Sequence, residues 1–336
     1  MRFGVCFMAN IDEIGFFTHA ESLGFDSVWV TDSQMLYSDC YAVLALAAKA
    51  TTRLRIGPGT AICGTRIPPV HVAGVATINR LAPGRVHLGI GTGNTAMRTM
   101  GQRPMRVADY AEYLRVLSAL LRGDVVDYTY NGVTRPIQVL MHDKEYMNLE
   151  PRIPLYVSGF GPRAMELAGE YGDGLVFAIP PRGVPVAEAL GHAEKGAARA
   201  GRSLEGFRNC ALTNIALLDP GEDVTSNRVI RTIGPNVMAS VYYFYDEVRE
   251  RRSEPPAFLQ RIWKRYCALV EQTPEAHRHF RTHELHYTAL HPGEAELIEQ
   301  IRELERQGLQ ELMFATGVDE KWRFAEAFAR QVMERV

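Results

Sequence analysis

The sequence predicts an α/β fold of the (β/α)8 barrel type, and three observations carry that reading. Strand-like runs alternate with helix-like segments along the chain, the alternation reaches eight units, and 336 residues is a length that such barrels reach as one domain. Strand–helix alternation implies parallel strands, because only a long crossover returns a chain to the same end of a sheet. Eight units favour closure into a barrel over an open sheet.

Taken in order, residues 3–8 form the first strand. Ile14, Phe17 and Leu23 recur at helical spacing over 11–23, and Gly24 closes that helix before a second strand at 27–30. A helix at 41–50, a strand at 54–57, a helix at 71–81, a strand at 85–90 and a helix at 107–121 follow. Strand 155–157, helix 163–171, strand 175–179, helix 186–200 and strand 209–218 continue the pattern. Helix 298–307, strand 311–315 and a terminal helix at 321–336 complete it.

Two segments exceed the minimal barrel. Residues 123–150 carry Tyr128, Tyr130, Asn131-Gly132 and Pro136, the composition of a hairpin-bearing loop. Residues 219–292 form a connection long enough to serve as a lid or pocket wall. The chain is read as a single domain over 1–336 with these two insertions.

Composition excludes several function classes. A net charge of -2 gives no electrostatic reason to expect nucleic acid or anionic lipid. The arginines at 249, 251, 252, 261 and 265 are interleaved with acidic residues and read as a solvated helix face. Five widely spaced cysteines without a CxxC pair argue against a disulfide framework or a structural zinc. Neither a signal peptide nor a membrane-spanning apolar run is evident, so a cytoplasmic setting is expected.

Chemistry in such barrels sits where the strands end. Asp32, after the second strand, either contacts a cofactor or a proton in transfer, or caps the following turn. The run Gly57-Pro58-Gly59-Thr60-Ala61 permits a bulge against a flat ligand or a plain turn. Gly89-Ile90-Gly91-Thr92-Gly93-Asn94 does not fit the dinucleotide fingerprint, but its small residues let a ligand approach the backbone. Ser158-Gly159-Phe160-Gly161-Pro162-Arg163 lies directly before a helix. Its glycines leave N–H groups exposed where the helix N-terminus is positive, a natural seat for phosphate, to which Arg163 adds a charge contact or from which it points away. Cys63 lies near the cofactor loop and reads as inert packing.

Taken jointly, these runs, with Thr65-Arg66, Pro68, Gly84-Arg85 and Gly172-Asp173-Gly174, resemble the bacterial luciferase-like flavin monooxygenases. They are especially similar to the subgroup containing methylenetetrahydromethanopterin reductase, which uses a deazaflavin. The resemblance implies that Asp32 contacts the ring region, and that Gly59, Thr60 and Ala61 form a bulge behind the ring with a non-proline cis peptide. It implies that Thr92 and Gly93 line the cofactor and that Ser158, Gly159, Gly161, Pro162 and Arg163 hold its phosphate. Sugar-phosphate dehydrogenases of the deazaflavin branch carry a histidine after the strand-two aspartate and a glutamate after the strand-four glycines. Ser33 and Asn94 stand at those positions here, so an acid–base pair for alcohol oxidation is missing. His283 and His286, on one helical face of the long insertion, are further candidate proton shuttles, without a carboxylate pattern for metal.

The first expectation is therefore a monooxygenase using reduced FMN supplied by a transient flavin reductase, since no nicotinamide fingerprint appears, acting on a small organic substrate. The alternative is hydride transfer dependent on the deazaflavin coenzyme F420. A catalytically silent flavin-binding protein is the rival from another class, and a Schiff-base lyase is disfavoured because no lysine stands at a strand end. By analogy with relatives, a homodimer or higher homo-oligomer is expected.

Overall fold

A computed structural model describes residues 1–142, 145–179, 184–222, 228, 232, 294–315, 317 and 320–336. The strands are β1 (Arg2–Phe7), β2 (Ser27–Val30), β3 (Arg55–Pro58), β4 (Ala61–Ile62), β5 (Leu88–Gly91), β6 (Val126–Tyr130), β7 (Val133–Ile137), β8 (Leu155–Ser158), β9 (Gly174–Ala178), β10 (Arg208–Asn214) and β11 (Glu311–Ala315). Nine of them form one sheet in the order β3-β2-β1-β11-β10-β9-β8-β5-β4, and each of its ladders is parallel. A bridge between Ile56 and Val86 brings β3 back to the start of β5; Ile56 N donates to Arg85 O (2.9 Å) and His87 N to Ile56 O (3.1 Å). The result is the nearly closed (β/α)8 barrel that the alternation predicts.

The helices are α1 (Gly15–Ser22), α2 (Cys40–Ala50), α3 (Pro68–Leu81), α4 (Asn94–Thr99), α5 (Val107–Leu121), α6 (Pro162–Tyr171), α7 (Val186–Arg199), α8 (Glu294–Arg306) and α9 (Lys321–Phe328). Several boundaries differ from the sequence expectation for local reasons. Asn10 caps a single 3-10 turn over Ile11–Glu13, so α1 begins only at Gly15. Asp39 accepts from the amides of Tyr41 (2.9 Å) and Ala42 (3.1 Å), which starts α2 at Cys40. Pro68 opens α3 three residues before His71, a position where its missing N–H costs nothing. Strand β10 stops at Asn214 rather than 218, and the terminal helix changes to a π-turn over Ala329–Met333. The short α4 is an addition, since six residues beginning Asn-Thr carry too little periodicity to be read.

The hairpin is as expected. Asn131 and Gly132 take φ values of 50° and 76°, the left-handed pair that a two-residue turn between twisted strands requires, and join antiparallel β6 and β7.

Apolar side chains fall into two main bodies. One lies between the barrel wall and the helices and includes Phe7, Phe17, Val28, Leu44, Ile90, Leu117, Leu167, Phe177 and Phe314. The other fills the barrel with Trp29, Tyr156, Val176, Cys210 and Met313, with Cys6 and Leu212 packed against it. Below that plug, Glu311 accepts from Ser27 Oγ (2.5 Å), Trp29 Nε1 (2.9 Å) and Arg55 Nη2 (2.6 Å). The interior is closed at the amino ends of the strands, so only the carboxyl ends offer a mouth. No helix among the described residues is long and apolar enough to cross a membrane.

Candidate functional site

After β3 the chain turns through a cis peptide between Gly59 and Thr60 into β4, which is the bulge that the resemblance implies. Glycines on the facing strands make it possible. A Cβ on Gly89 would lie 2.5 Å from Pro58 O, and one on Gly91 would lie 2.9 Å from Thr60 Oγ1 and 3.4 Å from Ser158 Cβ. One on Gly59 would overlap the Cβ of Trp29. This quarter of the mouth is thus walled by main chain, against which a flat ring can lie closely.

Polar pins hold the bulge from behind. His71, fully buried, bonds Tyr41 Oη through Nδ1 (2.7 Å) and Ile62 O through Nε2 (3.2 Å). A carbonyl only accepts, so Nε2 carries the proton and Nδ1 accepts from tyrosine. Burial lowers the His71 pKa to about 4, which keeps this relay neutral. Tyr113 Oη donates to Arg66 O (2.6 Å), and Tyr110 Oη to Ile90 O (2.7 Å).

Asp32 belongs to the same scaffold. Its carboxylate accepts from Arg66 Nη1 (2.7 Å), Ile62 N (3.2 Å) and Gln34 Nε2 (2.6 Å), and Arg66 also reaches Asp39 (2.8 Å). Burial pushes the carboxyl above its usual range, with Arg66 and the Ile62 amide working against that shift. The aspartate therefore ties the loop after β2 to the loop after β4, next to the bulge. It caps neither the Ser33 turn nor a helix. Ser33 is half-buried, and its carbonyl accepts from the amides of Leu36 and Tyr37.

At the next strand end Thr92 is half-buried, and Gly93 takes φ 82°, a left-handed geometry open to glycine, to start α4. Asn94, half-buried, begins α4, and its Oδ1 accepts from Arg98 Nε at 2.7 Å. Beyond it, Ser158 ends β8 and Gly159 packs on the first turn of α6; a Cβ there would lie 2.8 Å from Met165 N. Gly161 is the N-cap, Pro162 opens the helix, and no acidic residue stands in the first turn. The amides of Arg163 and Ala164 have no intrahelical acceptor and point out of a positive helix end. The Arg163 guanidinium runs back along the helix to Glu166 (3.2 Å) and Glu170, joined by Arg199. Of the two placements the sequence allowed for Arg163, the structure has the one turned away, so main-chain donors are what this corner presents. His283 and His286 lie outside the described residues.

One mouth residue escaped the sequence reading. Asn214 ends β10 on the face that points Cys210 and Leu212 inward; it is 1% exposed, and its Oδ1 has no hydrogen-bond partner. A lone asparagine at a strand end carries no motif, and only the strand's period of two hints at its direction.

The bulge, the side-chain-free wall of β5, the acid-free N-terminus of α6 and an orphaned acceptor surround one mouth, and together they suit a flat ring carrying a phosphate. Residues 2–317 match the luciferase-like monooxygenase family. The chain belongs to that family. Among curated relatives of this luciferase-like chain, 5,10-methylenetetrahydromethanopterin reductase of Archaeoglobus fulgidus is 28% identical over 236 residues, 68% of this chain and 67% of that protein. The same-named reductase of Methanolobus tindarius is 29% identical over 60% of this chain and 61% of its own length. F420-dependent glucose-6-phosphate dehydrogenase of Beutenbergia cavernae is 32% identical over 49% of this chain and 52% of its own. The chain thus matches between half and two thirds of these relatives' lengths. Among solved structures, the coenzyme F420 dependent tetrahydromethanopterin reductase of Methanopyrus kandleri superposes with a TM-score of 0.69 at 20% identity, covering 99% of this chain and 98% of that one. The oxygenating constituent of 3,6-diketocamphane monooxygenase from Pseudomonas putida, in complex with FMN, gives 0.62 at 16% identity, covering 100% and 99%. Both show the shared fold, and the protein is a luciferase-like oxidoreductase.

Proposed function

We propose that this luciferase-like oxidoreductase is a reductase that takes a hydride from the reduced deazaflavin coenzyme F420 and delivers it to a small organic electrophile. The observation that carries the reading is the similarity in sequence to reductases and dehydrogenases of which several are named as F420-dependent. The FMN-dependent oxygenation that the strand-end motifs also allow has a named counterpart in a solved structure at 16% identity.

Bound reduced F420 supplies the hydride from carbon C5 of its ring. What this chain supplies is placement. The Gly59–Thr60 bulge and the glycines of β5 receive one face of the ring, and the amides at the start of α6 receive the phosphate. The groups at the mouth among the described residues support reduction. Oxidising an alcohol needs a base for the hydroxyl proton. Ser33 is a neutral hydroxyl, Asn94 is an amide bonded to Arg98, and Asp32 is locked by Arg66. Reduction of an already electrophilic carbon, such as an iminium-type C–N bond, needs no such base.

Fluorescence titration of the purified protein with F420 and, separately, with FMN tests the proposal, followed by anaerobic reoxidation of reduced F420 with 5,10-methylenetetrahydromethanopterin as probe. Saturable F420 binding with no FMN binding is expected. Tight FMN binding with substrate-dependent oxygen uptake overturns it.

A further inference from the structure

A buried carbonyl with no donor costs the protein the desolvation of that group. Native structures therefore rarely keep one unless something else completes it. Asn214 Oδ1 is such an atom, and its surroundings say where a donor comes from. Register places Asn214 beside Ala315, which in turn lies beside Cys6. Both neighbours are half-exposed, as is Leu212 one step below on the same strand face, so this level is where the barrel interior opens to the mouth. Further down the same two strand faces, Met313 on β11 and Cys210 on β10 are buried. The orphan thus stands on the floor of the mouth, one-third of the way round the barrel from the main-chain wall of β3–β5 and two strands from β8, which leads into α6.

We infer that Asn214 is a specificity contact of this mouth, its side-chain carbonyl accepting a hydrogen bond from an N–H donor on the molecule bound there. The inference rests on the barrel mouth being the binding site proposed above, but not on which cofactor fills it. Amide-type N–H groups occur both on flavin-like rings and on pterin-like substrates, so the donor belongs to one or the other. A ligand lacking the donor leaves the carbonyl buried and unpaired, which is how such a site rejects close analogues.

The test is Asn214→Leu, close to isosteric and without the polar atoms. The ligand-free variant is expected to melt no lower than the wild type, because an unpaired buried group is replaced by an apolar one. A fall of several degrees in Tm overturns the inference, since it means the carbonyl already has a partner inside the fold. With ligand, a loss of about tenfold is expected, corresponding to about 1.4 kcal/mol. If it falls on Kd for F420, or for FMN should that be what the wild type binds, the donor is on the ring. If Kd is unchanged and KM for 5,10-methylenetetrahydromethanopterin rises, the donor is on the substrate. Unchanged Kd and KM overturn the inference. A wild type that binds FMN rather than F420 defeats the proposed function alone, because the ratio of variant to wild type is still read on FMN.

Discussion

Asp32 shows how a residue can be legible while the partners that hold it are not. Its position after β2 marks it as a strand-end carboxylate, yet no sequence pattern pairs it with Arg66, 34 residues away, or predicts that the pair clamps the bulge. Removing the arginine leaves the carboxylate buried, 3% exposed, without its counter-charge. Breaking a buried pair from one side costs about 3–5 kcal/mol. Arg66→Met is therefore expected to lower the urea midpoint substantially at neutral pH. The sign with pH follows from the direction of the shift: the folded-state pKa of Asp32 lies above its unfolded value, so the carboxyl is better tolerated protonated. Without Arg66 that shift grows, and the variant recovers part of its deficit as pH falls towards the acid range. A deficit that is the same at pH 7 and pH 5 contradicts this account.

At the scale of elements, the strands and most helices are visible because their apolar residues recur at the right period. The pieces that escaped are those whose cause is a single side chain or a tertiary contact. Nothing in the periodicity signals the 3-10 turn capped by Asn10, the Asp39 cap, or α4, which starts from a left-handed glycine. The phosphate corner lies between these cases. Its Gly-Pro opening was readable, whereas the withdrawal of Arg163 towards Glu166 and Glu170 was not, because those carboxylates stand three and seven residues further along the helix. Gly161 offers a direct test of the main-chain role. It has φ -110° and ψ 160°, ordinary extended backbone, and a Cβ there meets nothing within 4 Å. Gly161→Asp adds an N-cap worth only a few tenths of a kcal/mol over glycine, so the ligand-free Tm is expected to stay level or rise slightly. The new carboxylate occupies the same amides and repels an anion, so Kd for the phosphate-bearing cofactor is expected to weaken at least about tenfold. An unchanged Kd in titration moves the phosphate elsewhere.

At the scale of the molecule, the barrel is joined by backbone ladders around its circumference and by one charged cluster across its closed end. Glu311 on β11 reaches Arg55 on β3, while Ser27 and the Trp29 indole on β2 donate to the same carboxylate. These strands are separated in the sheet by β1 and β2, so the cluster spans the interior rather than following a ladder. Alternation along the chain predicts the circumference but says nothing about such a crossing. Burial alone pushes the Glu311 carboxyl up, but the Arg55 charge and the bonds from Ser27, Arg55 and Trp29 together outweigh it and hold the group below the usual glutamate range. A folded pKa below the unfolded one means stability that is present above the unfolded value and is lost as pH falls through the folded value. For Glu311 that window begins near pH 4.5 and extends downward. Glu311→Gln keeps the shape but removes the charge, leaving Arg55 without its close partner, a loss of about 3–5 kcal/mol at pH 7 by the cost of breaking a buried pair. Urea unfolding at pH 7 and at pH 3.5 is expected to show a large gap between wild type and variant at the higher pH. At the lower pH the gap narrows, because the wild type has begun to lose the same interaction. A gap of constant size at both pH values removes Glu311 as the group that couples closure of the barrel to acid.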